Sequence, residues 1–310
     1  MEAASFLTDA AERPDTGAAY WVTASDGVRL RVGLWPDGDK GTVLLFPGRT
    51  EYVEKYGPAA QEFARAGLAT ATIDWRGQGL ADKLLDDPMI GHVGRFSDYQ
   101  LDVTELLAAV RAQGLPEPYY LVAHSMGGAI GSRALLNGLP VKAAVLSAPL
   151  WGILFEPGIL KTVAWALSTL AHNTGLGKGG IPGVAREGYI ATGDTNDNVL
   201  THDPAMFRFM QDHLKAHPEL ELARPSYTWL NEALRETWAL RKATMPDIPT
   251  LVTLGSDESV VESPAIHHVT RRWPSSELVL YDNCHHEIMM ETADLRDAFY
   301  ESAIQFLLSA

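Results

Sequence analysis

Six short, largely apolar runs, separated by segments of helical character or length, constrain this chain more than any other feature. Thr42-Val-Leu-Leu-Phe46 is the first, and Leu68–Asp74, Tyr119–Ala123, Lys142–Ser147, Pro249–Gly255 and Glu277–Asp282 follow. A strand apolar on both faces must be covered on both faces, the situation of parallel strands joined by helical crossovers. The intervening helices are expected near Val53–Ala66, closed by Gly67, and at Ser97–Gln113, Met126–Asn137, Ser263–Arg272 and Thr292–Leu308. Ser97-Asp98-Tyr99-Gln100 has the spacing of a capping box. Ahead of all this, Tyr20–Ala24 and Val28–Trp35 alternate around Ser25-Asp26-Gly27, where Asp-Gly supplies the positive φ of a tight hairpin. The alternation stops at Pro149 and resumes at Pro249. An α/β fold follows: a mostly parallel sheet with an antiparallel N-terminal hairpin, a core of residues 1–149 and 248–310, and a helical cap inserted at 150–247.

Composition narrows the partners. Among 310 residues, 25 basic and 39 acidic side chains give a net charge of −14. Such a surface repels phosphate backbones and anionic lipid, so nucleic-acid binding and electrostatic docking to a membrane are excluded. The single cysteine, Cys284, allows no intrachain disulfide and no multi-thiolate zinc site. The first ten residues carry acids where a signal peptide needs bases. The longest greasy stretch, Ile159–Ala171, contains Lys161 and falls short of the roughly 20 residues that span a bilayer. A cytoplasmic chain without an integral membrane segment is expected, its apolar cap allowing transient contact at the inner face of the membrane.

The chemistry centres on Ala123-His124-Ser125-Met126-Gly127-Gly128, between an apolar strand and a helix. A serine on such a turn projects its hydroxyl above the sheet, and small residues on either side let strand and helix approach. Alanine stands at Ala123 where glycine is usual, and the string by itself also reads as an ordinary β-to-α turn with a capping serine. Serine needs a base, and the base a carboxylate to orient it. Ser256-Asp257-Glu258 follows one late strand and Asn283-Cys284-His285-His286-Glu287 follows the next, both at carboxyl ends of strands, where open α/β sheets bind ligands. His213 and His217 share a helix face but lack a third ligand, so they are expected on the surface, and no metal site is indicated. No P-loop or dinucleotide fingerprint occurs, and no cofactor is implied.

These residues resemble the α/β-hydrolases, and within them the bacterial lysophospholipases related to monoacylglycerol lipases. Phe46-Pro47-Gly48-Arg49-Thr50-Glu51 is similar to the family's oxyanion loop in its Pro-Gly-Arg form, and Asp74-Trp75-Arg76-Gly77-Gln78-Gly79 matches its Asp-x-Arg-Gly-x-Gly turn. Gly91-His92-Val93, Ala148-Pro149 and Asn198-Val-Leu-Thr-His202 extend the likeness over roughly residues 20–305. The resemblance implies the α/β-hydrolase fold, Ser125 as nucleophile and His286, the histidine followed by Glu287, as general base. It puts the acid at Glu258, with Asp257 as the alternative, and the oxyanion donors at the backbone amides of Arg49 and Met126. The Arg49 guanidinium is expected to pair with Glu51 or another carboxylate, ahead of a substrate phosphate; Glu51 and Arg76 are expected to shape loops. Trp151, Phe155 and Trp229 are candidates to line an acyl pocket, Trp151 and Phe155 next to the strand that precedes the cap. The implied function is hydrolysis of single-chain lipid esters, most concretely lysophospholipids. Monoacylglycerol or short-chain ester hydrolysis, a proline-type aminopeptidase and a lipid-binding module without turnover are the alternatives.

Overall fold

The computed structural model of the chain describes residues 1–11 and 14–310. Nine strands form one sheet among the described residues: β1 (Glu2–Ala4), β2 (Ala18–Thr23), β3 (Arg29–Trp35), β4 (Thr42–Phe46), β5 (Ala69–Asp74), β6 (Tyr119–His124), β7 (Ala144–Ser147), β8 (Thr250–Gly255) and β9 (Ser276–Tyr281). Their spatial order is β1-β2-β3-β5-β4-β6-β7-β8-β9. Pairing is antiparallel from β1 through β3 to β5 and parallel from β5 to β9. The fold is therefore the α/β-hydrolase type, a mostly parallel sheet that opens on an antiparallel hairpin.

The apolar strands separate two cores by their alternation. In β4, Leu44 and Phe46 face one layer while Val43 and Leu45 face the other; in β6, Leu121 and Ala123 are opposed to Tyr120 and Val122. The first layer is closed by α3 (Tyr99–Ala112), α4 (Met126–Leu136) and α9 (Ser263–Thr270), through side chains such as Leu106, Ile130 and Ile266. The second is closed by α2 (Gly57–Arg65) and α10 (Ala293–Ser309), through Phe63, Phe299 and Leu307. Each such side chain contributes about 1.5–3 kcal/mol when fully buried, which makes a slipped strand register costly.

Helix boundaries depart from the sequence expectation at two starts. Val53–Tyr56 forms a single 3₁₀ turn before α2, and Phe96–Asp98 forms another before α3. Ser97 consequently does not cap α3; instead the Asp98 carboxylate accepts from the Arg95 amide at 2.9 Å, inside that turn. Two N-terminal elements lay outside the expectation, β1 and the short α1 (Thr8–Ala11), both too brief for periodicity to register. Between β7 and β8 the chain adds no strand to the sheet and builds α5 (Ile159–Asn173), α6 (Tyr189–Thr192), α7 (Pro204–Ala216) and α8 (Tyr227–Leu240). α8 rests on the first layer, where Trp229, Ala233 and Leu234 are buried, and Arg133 of α4 pairs with its Glu236 at 2.7 Å. α5 lies on α8, with Asn231 Nδ2 donating to Thr169 Oγ1 at 2.7 Å. α7 packs separately, joining Phe207 and Met210 to Tyr52 and Leu220. No helix among the described residues is long and apolar enough to cross a membrane.

Candidate active site

Strained backbone gathers at one end of the sheet. The non-glycine residues with positive φ among those described are Thr50 (69°), Ser125 (50°), Ala148 (42°) and Asn283 (50°), each just beyond the carboxyl end of β4, β6, β7 or β9. Side chains other than glycine avoid that region, and such strain persists where surrounding contacts fix it. Ser125 sits at φ 50°, ψ −115°, between β6 and α4, its amide donating to the Ser147 carbonyl at 3.0 Å. A side chain on Gly127 would collide with the Phe46 carbonyl, and one on Gly128 would come within 2.7 Å of Pro149 Cβ. The methyl of Ala123 is accommodated because Gly131 stands opposite on α4, where a Cβ would already be 3.4 Å from it.

Three elements converge on the Ser125 hydroxyl. His286, on the loop after β9, places Nε2 2.9 Å from Ser125 Oγ. Its Nδ1 lies 2.7 Å from Glu258 Oε2, on the loop after β8. An ionised carboxylate can only accept, so Nδ1 carries the hydrogen and Nε2 is left to accept from the serine. Glu258 Oε1 also accepts from the amides of Val260 and Val261 at 2.6 and 3.0 Å. Although burial works against the charge, His286 and these donors hold the Glu258 carboxyl below the usual carboxylate range. Asp257 takes no part: its side chain is 43% exposed and accepts from the Ser256 hydroxyl. His285 also points elsewhere, its Nδ1 donating to the Asp257 carbonyl at 3.2 Å.

The loop after β4 wraps around Glu51. Its Oε2 accepts from the Gly48 amide and from the Tyr56 hydroxyl, the latter at 2.5 Å, and its Oε1 is 2.8 Å from Lys55 Nζ. Lys55 in turn meets Glu287 at 2.5 Å, so one buried ammonium ties the β4 loop to the residue after His286. Burial opposes ionisation of Glu51, yet Lys55 and its other partners hold it down at about 2. His124 lies against this group, its ring 4.8 Å from that of His286, and burial pushes its imidazole down to about 3, so it is neutral. Neither the Arg49 nor the Met126 backbone amide donates to any described protein group. Arg76 shapes the neighbouring turn by pairing with Asp102 at 2.7 Å and Asp26 at 2.6 Å.

A cavity of two lobes meets at Ser125. One lobe, about 480 Å³, runs beneath α5 and is walled by Phe155, Leu160, Leu167, Tyr227, Trp229 and Leu230 among others. The other, about 430 Å³, opens toward α6 and is walled by Thr50, Glu187, Tyr189, Leu200 and His286 among others. Phe155 and Trp229 thus face a cavity, but Trp151 does not. It is fully buried below, its Nε1 donating to Ser132 Oγ at 2.9 Å and its ring 6.4 Å from that of Trp273. Its indole N–H found a partner in the core, which binds it there instead of in the pocket. Among the described residues no carboxylate pairs with Arg49: Glu51 is taken by Lys55, and Arg49 Nη2 donates to the Ala223 carbonyl, at 2.6 Å.

Several residues at the site escaped the sequence reading. His202 stacks on His285 with ring centroids 3.8 Å apart and planes 8° apart, and its Nδ1 and backbone amide both reach the Glu291 carboxylate. Leu200 O accepts from the Glu287 amide and Thr201 Oγ1 donates to the Met290 carbonyl, so residues 200–202 clasp the histidine loop from across the helical excursion. Only the string Asn198–His202 signalled this. His202, Asp257 and His285 come close enough to suggest a cation site, but parallel stacked rings cannot aim their in-plane lone pairs at one ion. Glu51, His124 and Glu287 form a second such group, whose centre the Lys55 ammonium already serves. His213 proves buried, 3.1 Å from the Tyr52 hydroxyl, whereas His217 turns away to Asp9 at 2.9 Å.

Such a sheet, with a strained serine between strand and helix and a histidine loop at the far edge, defines a serine hydrolase of the α/β-hydrolase class. Residues 37–293 match the family described as serine aminopeptidase S33, and the chain belongs to that family. It is 31% identical over 289 residues to lysophospholipase L2 of Escherichia coli K12, covering 85% of this chain and 79% of that protein. A probable lysophospholipase L2 of Haemophilus influenzae is 27% identical over 267 residues, covering 86% and 83%. A soluble variant of monoglyceride lipase from Saccharomyces cerevisiae, solved with a substrate analogue, superposes with a TM-score of 0.74 over 95% of each chain at 20% identity, a likeness of fold.

Proposed function

We propose that this serine hydrolase cleaves acyl esters of single-chain lipids, lysophospholipids foremost, with residues 150–247 acting as a cap over the site. The observation that carries the proposal is the meeting of an apolar lobe and a more polar lobe at a serine hydroxyl already hydrogen-bonded to histidine. Ser125 Oγ attacks the ester carbonyl while His286 Nε2 takes its proton, and Glu258 steadies the imidazolium that forms. The unengaged amides of Arg49 and Met126 receive the developing oxyanion; one such donor typically accounts for about 10²- to 10³-fold in turnover. His286 then returns the proton to the departing glycerol oxygen, and water releases the fatty acid from the acyl-enzyme.

The acyl chain takes the lobe beneath α5. Along α5, Ile159, Leu160, Val163, Leu167 and Leu170 are exposed, and Leu160, Val163 and Leu167 also wall that lobe, which supports entry of the chain from a lipid surface. An aminopeptidase is disfavoured because the cation of Arg49 beside Ser125 repels a substrate ammonium. The deciding experiment compares fatty acid release from lysophosphatidylcholine or lysophosphatidylethanolamine with monoacylglycerol and short p-nitrophenyl esters, using Ser125→Ala as control. A higher kcat/KM on lysophospholipid is expected; preference for neutral esters would overturn the substrate assignment and leave the serine chemistry standing. Failure of the folded wild type to react with a fluorophosphonate would overturn catalysis itself.

A further inference from the structure

Arg49 is a charged group at this site that the reaction just described leaves unused, apart from its backbone amide. Its guanidinium makes one hydrogen bond among the described residues, from Nη2 to the Ala223 carbonyl, and its Cζ stands 5.1 Å from the Trp229 ring. Nε is buried without an acceptor, and no described carboxylate lies within ion-pair distance. The other buried charges of the site have partners: Glu51 and Glu287 share Lys55, and Glu258 faces His286. Glu187 adds an exposed carboxylate on the wall of the second lobe. Burial brings the Arg49 guanidinium down to about 10, which leaves it charged at neutral pH.

Arg49 is half-buried with its Nε fully enclosed, and a cation withdrawn that far from water without a counter-ion carries a cost that an anion relieves on binding. Arg49 lines both lobes where they meet at Ser125. With an acyl carbonyl at Ser125 and the chain in the apolar lobe, the three carbons of glycerol carry whatever is attached to its far end into the second lobe, past this guanidinium. A planar fork with unused N–H groups suits two oxygens of one phosphate, a match an ammonium or an amide does not offer.

We infer that the Arg49 side chain binds the phosphodiester of a lysophospholipid headgroup, and so distinguishes that substrate from neutral glycerol esters. The inference rests on the substrate class proposed above, and its test is separable from it. Hydrolysis of p-nitrophenyl butyrate is measured with glycerophosphocholine or glycerol as competitor, in wild type, Arg49→Met, Arg49→Gln and Arg49→Lys, each checked for a folded melting transition. Glycerophosphocholine is expected to compete at least about tenfold more strongly than glycerol in wild type, a difference of about 1.4 kcal/mol. That margin should vanish in Arg49→Met and Arg49→Gln and survive in part in Arg49→Lys. Arg49→Gln carries the same expectation should Arg49→Met not fold. In parallel, the ratio of kcat/KM for lysophosphatidylcholine to that for monoacylglycerol of the same chain should fall about tenfold or more in these variants, chiefly through KM. Equal competition by the two compounds in wild type, or a margin that persists without Arg49, overturns the inference even if lysophospholipid is the better substrate. An Arg49-dependent margin in an enzyme that prefers neutral esters would uphold the anion site and defeat the lysophospholipid assignment.

Discussion

The floor and the roof of the cavity are built on opposite rules. Beneath Ser125 the buried charges are paired or neutral: Glu258 with His286, Glu51 and Glu287 with Lys55, His124 without its proton. Above it, α5 leaves Ile159 at 65% and Leu170 at 61% exposure, and its polar ties lie at its edge, in the part-exposed Lys161–Glu262 pair and the bonds from Asn231 to Ser168 and Thr169. A floor fixed by ion pairs holds reacting atoms to one geometry, while a roof held by apolar contact tolerates varied chains. Substitutions below should therefore change turnover or folding sharply, and substitutions above should change which lipid is taken and how it is reached.

Ser125→Ala and His286→Ala carry the largest expected effect, a loss on the order of 10⁴- to 10⁶-fold in kcat. Glu258→Gln should cost about 10⁴-fold, because the amide no longer fixes the imidazole tautomer. Asp257→Asn, equally close in sequence, should leave turnover near wild type. Comparable losses in the two acid variants would break the claim that floor geometry is unique. Glu258→Gln has a second readout. Its carboxyl, lowered from 4.5 in the fold, adds stability that is fully present above that value and is lost as pH falls through the folded value. The stability gap between wild type and Glu258→Gln should hold steady near neutrality and shrink below pH 4.5.

Next comes Lys55→Met. The residue is 1% exposed and is the ammonium between Glu51 and Glu287; removing one partner of a buried ion pair typically destabilises by about 3–5 kcal/mol. Urea denaturation should show that loss as a lowered midpoint, with activity falling in the folded fraction because the β4 and histidine loops are no longer joined. A shift within error would mean that the floor does not depend on its ions.

This contrast also explains what the sequence made legible. The parallel strands, the turn at Ser125 and the two strand-end loops with Asp257-Glu258 and His285-His286 were visible through local signals, namely apolar runs, small residues beside a serine and polar residues just past a strand, while the choice of Glu258 and His286 within those loops came from the family resemblance. The Lys55 network was not visible, since a lysine between Glu54 and Tyr56 looks like solvent-facing helix until β4 and β9 bring Glu51 and Glu287 onto it. Trp151 failed for a similar reason. Its neighbours in sequence are apolar on both sides, and only the tertiary position of Ser132 decides that the indole turns into the core. Arg49 was expected to pair with Glu51 or another carboxylate, and Glu51 is held by Lys55.

Phe155→Ala acts on the roof. It enlarges the apolar lobe and removes contact with the acyl chain, so kcat/KM should fall about tenfold for the chains that fill the lobe and little for butyrate esters. Equal loss on short and long esters would assign Phe155 to folding.

The smallest effect is expected at Leu170→Glu, on the outer side of α5. Leu170 is exposed and lies outside both cavity walls, so a charge there should leave hydrolysis of a soluble butyrate ester at its wild-type rate. Leu170 is partly covered already, so losing it from a lipid contact removes less than the roughly 1.5 kcal/mol of a full transfer, and a carboxylate pressed against the apolar interface opposes docking further. Partition onto zwitterionic phosphatidylcholine vesicles, and the rate on lysophospholipid embedded in them, should therefore drop together while the soluble ester is unaffected. Unchanged vesicle binding would show that α5 only covers the acyl lobe, and would leave the roof with a single role where the contrast with the floor assigns it two.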